Sequence, residues 1–189
     1  MGVIPDGAFV IADLEYTSWV GAHARNWSGP GEFKEIVQIG AVRVSGGAPL
    51  TETDAFVVLV APTLNPRLSG YFSELTGITN ADIAREGVAV ADALGAFRAF
   101  VGDAPVLSHG RDDLVIAEEC AEKGFDDPFA GHDWRDISPP IRAVTGDQLM
   151  SSELPAYFGL EPMGRAHDAL ADARALFGVL EHLRRKGGV

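Results

Sequence analysis

Two acidic residues stand two positions apart at the end of an apolar stretch near the start of the chain. Asp13 and Glu15 follow residues 9–12 (FVIA), a run typical of a strand that is buried on both faces. Because side chains alternate along a strand, the two carboxylates point the same way, about 7 Å apart. Carboxylates that lose their water on one face repel each other unless a cation lies between them. The pair therefore predicts a metal site, although an Asp-x-Glu pair by itself is more often a polar strand end.

A second acidic pair begins the helix that is predicted over residues 113–123. Asp113 shares a helical face with apolar residues three, four and seven positions further on, and so is predicted to point into the core. Asp112 shares its face with Glu119 and Lys123, which favour water, and is predicted to be the N-cap. Acids at a helix start are also favoured by capping and by the helix dipole alone, so this pair leaves both interpretations open.

The last helix is predicted from about residue 166 to residue 185. Asp172 lies beside its buried stripe, because apolar residues follow four, seven and eleven positions further on. A helix turns about 100° per residue, so His167, five residues earlier, would lie about 140° away if both residues were helical. For both to reach one site, His167 must come from the preceding loop or the first turn. Asp168 is interpreted as a surface or first-turn acid, and a single histidine here is more often structural.

The rest of the sequence predicts one α/β domain with a mixed five-stranded sheet flanked by helices. Short connections join the first three strands and favour an antiparallel meander, and the later strands alternate with helices and are expected to be parallel. The strands are predicted at residues 9–17, 35–44, 55–60, 104–108 and 132–137. Helices are predicted after Thr79, over residues 89–101 and 113–123, from Pro139-Pro140, at residues 154–158 and from about 166 to 185.

Composition limits the class of protein. The 189 residues, 47% of them hydrophobic and 22% charged, are expected to form a single domain over 1–189 with its core at about 9–183. The single cysteine, Cys120, favours a reducing compartment, and neither a signal peptide nor a membrane span is predicted. We therefore expect a soluble cytoplasmic protein. The net charge of −12 argues against a broad grip on nucleic acid, but allows an enzyme that meets a few nucleotides.

Five segments follow one another in a familiar order: residues 13–17 (DLEYT), 35–42 (EIVQIGAV), 75–79 (LTGIT), 109–113 (HGRDD), and His167 with Asp172. Together they resemble the DEDDh branch of the 3′→5′ exonucleases, which have the ribonuclease-H-like fold. The resemblance covers residues 9 to about 183. The motifs are most like those of the group that holds KapD and the enhancer-of-RNA-interference exonucleases, whose second motif reads W-G-x-x-D. His109 replaces that tryptophan here, and Asp113 matches the aspartate.

The resemblance implies a metal-dependent 3′→5′ exonuclease that releases nucleoside 5′-monophosphates from single-stranded RNA or DNA. Asp13, Glu15, Asp113 and Asp172 would hold two divalent ions, and His167 would be the general base. Carboxylate oxygens suit Mg²⁺ or Mn²⁺, whereas zinc favours more nitrogen or sulfur ligands.

The resemblance also implies a nucleotide pocket. Thr17 would meet the terminal nucleotide, Trp19 would lie against its base, Leu75 would wedge beside it, and His109 would line the same pocket. Trp19 is equally consistent with a loop aromatic that closes the edge of the core. Glu35 would support the metal ligands from outside.

Two other functions remain open at this stage. One is a DNA exonuclease that proofreads or repairs with a polymerase, and the other is an inactive fold of this type that serves as a binding adaptor. The adaptor predicts a broken acidic set, whereas all five positions are present here. The expected partner is the 3′ end of a single strand, with no membrane, and a homodimer is left open.

Overall fold

A five-stranded mixed sheet lies at the centre of the computed structural model, which describes residues 4–186. The strands are β1 Phe9–Tyr16, β2 Ile36–Ser45, β3 Thr51–Leu59, β4 Val106–Ser108 and β5 Trp134–Asp136, in the order β3-β2-β1-β4-β5. The first three strands pair antiparallel, and β4 and β5 run parallel to β1. The predicted architecture, an antiparallel meander followed by parallel strands, is confirmed.

Seven α-helices accompany the sheet in the described part of the chain. They are α1 Gly70–Thr76, α2 Asn80–Glu86, α3 Val90–Val101, α4 Asp112–Lys123, α5 Ser138–Thr145, α6 Leu154–Tyr157 and α7 Ala169–Arg185, with a 3₁₀ turn at Ser151–Glu153. The predicted capping box of Thr79 and Asp82 is present at the start of α2. Helix α1 was not predicted, because seven residues are too few for a helical period to stand out. Within residues 4–186, no helix combines the length and apolar content that crossing a bilayer requires.

Strand β1 is buried on both faces, as predicted. On one face Val10, Ala12 and Leu14 pack against α3 and α4. On the other face Phe9 and Ile11 pack against α7. Because side chains alternate, the acids at positions 13 and 15 continue the second face and point towards α7.

The parallel strands bring their carboxyl ends to one edge of the sheet. In open α/β sheets, ligands bind in the crevice outside the carboxyl ends of the strands. This edge holds the acid pair at the end of β1, residues 109–112 after β4, and the start of α5 after β5. Strand β2 lies on one side of β1, and β4 and β5 lie on the other.

Helix α7 touches the sheet backbone at Gly40. A Cβ at this position would lie 2.2 Å from both Ala169 C and Leu170 N, so that only hydrogen fits. Gly40 pairs with Asp13 across β1 and β2. Gln38 holds the same helix start, because its Oε1 accepts from Ala169 N at 2.9 Å. The first turn of α7 is therefore fixed against β2, directly beside the acid pair of β1.

We expect Gly40→Ala to disturb both stability and activity. The added methyl group must push α7 away from β2, and overpacking of this kind costs about 1–3 kcal/mol. The shift would also move Asp172 and His167 relative to Asp13. Thermal unfolding and hydrolysis assays of the variant test this. Gly95→Ala is the matched control, because a Cβ at Gly95 in α3 meets no atom within 4 Å.

Candidate active site

Four carboxylates from three elements line one cleft of about 1050 Å³ at the carboxyl edge of the sheet. Asp13 and Glu15 come from β1, Asp112 is the first residue of α4, and Asp172 lies in the first turn of α7. The side chain of His167 lines the same cleft.

Burial raises the pKa of every carboxyl in this group. The pKa of Glu15 rises to about 8, that of Asp112 to about 7 and that of Asp172 to about 6, while that of Asp13 lies well above its usual range. The neighbouring acids add to the shift, since the negative charges of Asp112, Glu15 and Asp172 all raise the pKa of Asp13. These carboxylates cannot all be ionised near neutral pH without a positive charge between them, which makes the cluster a strong cation site.

The prediction that Asp113 points inward is wrong, and Asp112 takes its place. The guanidinium of Arg111 holds the Asp113 carboxylate through two hydrogen bonds of 2.8 and 2.7 Å, on the outer side of the helix start. This ion pair lowers the pKa of Asp113, whereas burial raises that of Asp112. Asp112 lines the cleft beside Glu15 and Asp13, whose pKa values its charge raises. The helix N-cap is Arg111, not Asp112.

A buried ion cluster explains the error. Glu119 and Lys123, which periodicity assigns to a solvated face, are turned towards the start of β2 instead, where Glu119 Oε2 accepts a hydrogen bond from Ile36 N at 2.7 Å. Lys123 Nζ lies 2.6 Å from Glu119 and 2.9 Å from Glu35, and both carboxylates are 1% exposed. The face that looks polar in the sequence is therefore a buried face, and Asp112 belongs to it.

Glu35 supports a loop and not the metal ligands, contrary to the prediction. Its carboxylate accepts hydrogen bonds from the backbone N–H groups of Thr63, Leu64 and Asn65 at 2.5–2.8 Å. Together with the ion pair to Lys123, these contacts use the whole carboxylate.

His167 lies in the loop before α7, where the sequence predicts it. Its φ of 61° is left-handed, and its backbone N–H donates to Asp172 Oδ2 at 3.0 Å, so the carboxylate holds this turn. The ring Nδ1 is 3.9 Å from Glu15 Oε1. Ligand atoms of Glu15, His167 and Asp172 all lie within 4.8 Å of one another. Burial, with help from the charge of Arg165, lowers the pKa of His167 and favours the neutral ring, which can accept a proton.

Three of the four residues of the predicted nucleotide pocket line the cleft: Trp19, Leu75 and His109. Thr17 does not. It is 3% exposed, and its hydroxyl donates to Phe33 O at 2.5 Å and accepts from Glu35 N at 3.0 Å. The hydroxyl therefore closes the base of the loop over residues 18–34 and has no role in a pocket wall.

The same loop is held over the cleft by Trp27. Its Nε1 donates to Thr17 O at 2.9 Å, and its ring lies 5.3 Å from that of Tyr16. Lys34 Nζ lies 5.2 Å from the Trp27 ring centre. These contacts fix the loop that carries Trp19, and both tryptophans line the same cleft as the acids.

Sequence reasoning missed several other residues of the cleft wall. Tyr71 belongs to helix α1, which was not predicted. Arg111 lies after β4 and Arg142 lies in the helix after β5, and neither residue was predicted to reach the cleft. No local pattern marks these residues. The carboxyl ends of parallel strands were the available signal, since the segments after β4 and β5 must meet there.

Known proteins resemble this chain in both sequence and fold. The sequence model of the exonuclease (RNase T) family matches residues 10–137, more than half of the chain. The chain belongs to this exonuclease family. Among its relatives, the 3′-5′ exonuclease Snipper of Drosophila melanogaster is 24% identical over 206 residues, covering 96% of this chain and 71% of Snipper.

Solved structures of other nucleases share the fold of this chain. The nuclease domain of 3′hExo, a DEDDh family member bound to rAMP, superposes with a TM-score of 0.80 at 21% identity, covering 95% of this chain and 92% of that domain. Escherichia coli exonuclease I bound to a dA16 oligonucleotide gives a TM-score of 0.72 at 18% identity, covering 95% of this chain and 41% of that chain. The predicted ribonuclease-H-like fold and the prediction that the chain is an exonuclease are confirmed.

Proposed function

We propose that this exonuclease removes nucleotides from the 3′ end of single-stranded RNA or DNA as nucleoside 5′-monophosphates, with divalent metal ions and a histidine base. The observation that carries the proposal is the convergence of Asp13, Glu15, Asp112 and Asp172 with His167 in one cleft. An inactive binding adaptor would have no need for four half-buried or buried acids whose repulsion opposes folding.

The donor set fits a hard cation. Four carboxylates with raised pKa values surround the site, and three ligand atoms from Glu15, His167 and Asp172 lie within 4.8 Å of one another. Oxygen ligands of this kind suit Mg²⁺ or Mn²⁺, and Asp13, Glu15, Asp112 and Asp172 would hold the ions. When bound, a pair of divalent ions lowers the pKa of water and stabilises the attacking and leaving oxygens of an in-line displacement.

His167 is placed to accept the proton of the attacking water. The ring is half-buried, lines the cleft and favours its neutral form. Asp172 fixes the backbone turn from which the ring projects into the cleft. The water oxygen would then bond to phosphorus as the P–O3′ bond breaks, and the departing O3′ would take up a proton from solvent water, which leaves the shortened strand with a free 3′-hydroxyl.

Single-stranded substrates are favoured by charge and by the related structures. The chain carries a net charge of −12, which opposes a long contact with a duplex backbone. Escherichia coli exonuclease I has been solved with the single strands dA16 and dT13, and a related 3′-exonuclease with the 3′ end of a histone mRNA stem-loop. The cytoplasmic location and the homodimer of the sequence analysis stay predictions.

Oligonucleotides labelled at either end test the proposed function. With Mn²⁺ or Mg²⁺, RNA or DNA labelled at its 5′ end should shorten one nucleotide at a time, and a 3′ label should appear at once as nucleoside 5′-monophosphate. Chelation of the metal should stop both. Release of the 5′ label as a mononucleotide, or shortening that persists under chelation, would contradict the proposal. A single-stranded DNA preference with no action on RNA would favour a role in DNA repair.

A further inference from the structure

The catalytic cleft extends past the acids on the side of β4 and β5. There it is lined by Pro139, Arg142 and residues 147–151, which we call the α5 arm. Pockets that enclose one drug-sized ligand occupy about 300 to 1,000 Å³. A cleft of about 1050 Å³ therefore has room beyond a single nucleotide.

The acids of β1 lie between this arm and Leu75 of the predicted nucleotide pocket. Helix α1, which carries Leu75, packs on β2 through Phe72. Helix α5 follows β5, on the other side of β1 in the sheet order. A strand whose terminal nucleotide lies against Leu75 would therefore cross the acids of β1 and continue into the α5 arm.

The arm carries the chemistry of a single-stranded nucleic-acid groove. Arg142 is exposed and makes no ion pair with any other residue in 4–186. Met150 is 54% exposed, and the neighbouring Leu149 is half-buried. One acid, Asp147, also lines the arm. A free cation beside exposed apolar surface is the combination that holds a phosphate and the face of a base without regard to sequence.

We propose that the α5 arm binds the nucleotides immediately 5′ of the scissile bond, with Arg142 on a backbone phosphate. This inference rests on the proposed function, since it assigns the direction in which the substrate lies. If the arm binds the substrate in this way, its contacts, above all that of Arg142, determine how strongly the enzyme prefers an oligonucleotide to a single esterified nucleotide.

Two substrates separate the arm from the catalytic centre. One is a single-stranded octanucleotide, and the other is the p-nitrophenyl ester of thymidine 5′-monophosphate, which has no upstream nucleotide. We expect Arg142→Ala to lower the ratio of kcat/KM for the octanucleotide to kcat/KM for the ester roughly tenfold, through KM, as loss of one charged contact does. The slope of log kcat/KM for the octanucleotide against log salt should fall by about 0.7.

Arg185→Ala is the matched control, because it removes the same charge from the far end of α7, about 24 Å along the helix from its first turn. It should leave the ratio and the salt slope unchanged, and Arg142→Lys should restore most of the slope. Equal loss on both substrates, or equal behaviour of the Arg142 and Arg185 variants, would overturn the inference alone. Failure of the unaltered enzyme on both substrates would overturn the proposed function, and the inference with it.

Discussion

Asp112→Asn is expected to abolish hydrolysis, whereas Asp113→Asn should leave it within about threefold of the unaltered enzyme. Asp112 lines the cleft among the acids, and Asp113 is bound by Arg111 outside it. Loss of a group that merely orients a metal ligand costs about 10- to 100-fold in metal affinity or activity. Loss of a ligand itself should therefore cost at least about 100-fold.

Thermal unfolding gives this pair of variants a second readout. The pKa of Asp112 is about 3.8 in the unfolded chain and is raised to about 7 in the folded protein, so the free energy of unfolding falls as the pH rises from about 4 to about 7. At pH 8 without metal, Asp112→Asn should therefore raise Tm by roughly 2 to 4 °C, the shift that about 1 kcal/mol produces in a domain of this size. The gain should shrink as the pH falls below 7 and vanish only near pH 4, where the carboxyl is protonated in the unfolded chain as well.

At pH 8, millimolar Mn²⁺ should give the unaltered protein a higher Tm than Asp112→Asn. Binding to the folded state raises Tm, and a metal that relieves the crowded carboxylates should stabilise the unaltered protein at pH 8. The same addition should leave Tm of Asp112→Asn almost unchanged and still raise that of Asp113→Asn. A full metal response in Asp112→Asn, with a lost response in Asp113→Asn, would show that the inward acid is Asp113 after all.

His167→Ala is expected to lower kcat by about 10²- to 10⁴-fold, the usual contribution of a positioned general base. The four carboxylates remain in this variant, so the rise of Tm with Mn²⁺ should largely persist. The decisive measurement is therefore the combination of single-turnover rate and metal-dependent Tm. His182→Ala in α7, where the ring packs against Phe158, is the control for loss of an imidazole elsewhere.

The left-handed backbone at His167 calls for a second variant. A φ of 61° is unfavourable for alanine, whereas asparagine adopts this conformation more readily. His167→Asn should fold like the unaltered protein and still lose its rate. If both variants lose the metal response together with activity, His167 is a ligand or a structural residue and not the base.

The sequence predicts those parts of the site that a regular period or a loop position determines. Strand alternation places Asp13 and Glu15 together, and the apolar stripe of α7 places Asp172 beside the core, with His167 before the helix. The choice between Asp112 and Asp113 lies beyond such reasoning. It depends on Lys123, which neutralises the buried carboxylates of Glu35 and Glu119, whereas periodicity counts Lys123 and Glu119 as solvated.

Other residues could not be placed for different physical reasons. Tyr71 lies on a helix of seven residues, too short to show a period. Thr17 carries a hydroxyl whose two partners, Phe33 and Glu35, become its neighbours only when the loop over residues 18–34 folds back. The contact between Gly40 and Ala169 joins residues far apart in the chain, and the glycine alone does not reveal its partner.

That contact between Gly40 and α7 has a further consequence. Main chain rests on main chain there, so the distance from Asp13 to the acid of α7 does not depend on the sizes of side chains in the hydrophobic interior. When apolar residues that pack under the later turns of α7 are substituted, the far end of the helix can tilt while its first turn stays in contact with Gly40. We therefore expect the distance between Asp13 and Asp172 to change much less with substitutions in the hydrophobic core than with any substitution of Gly40.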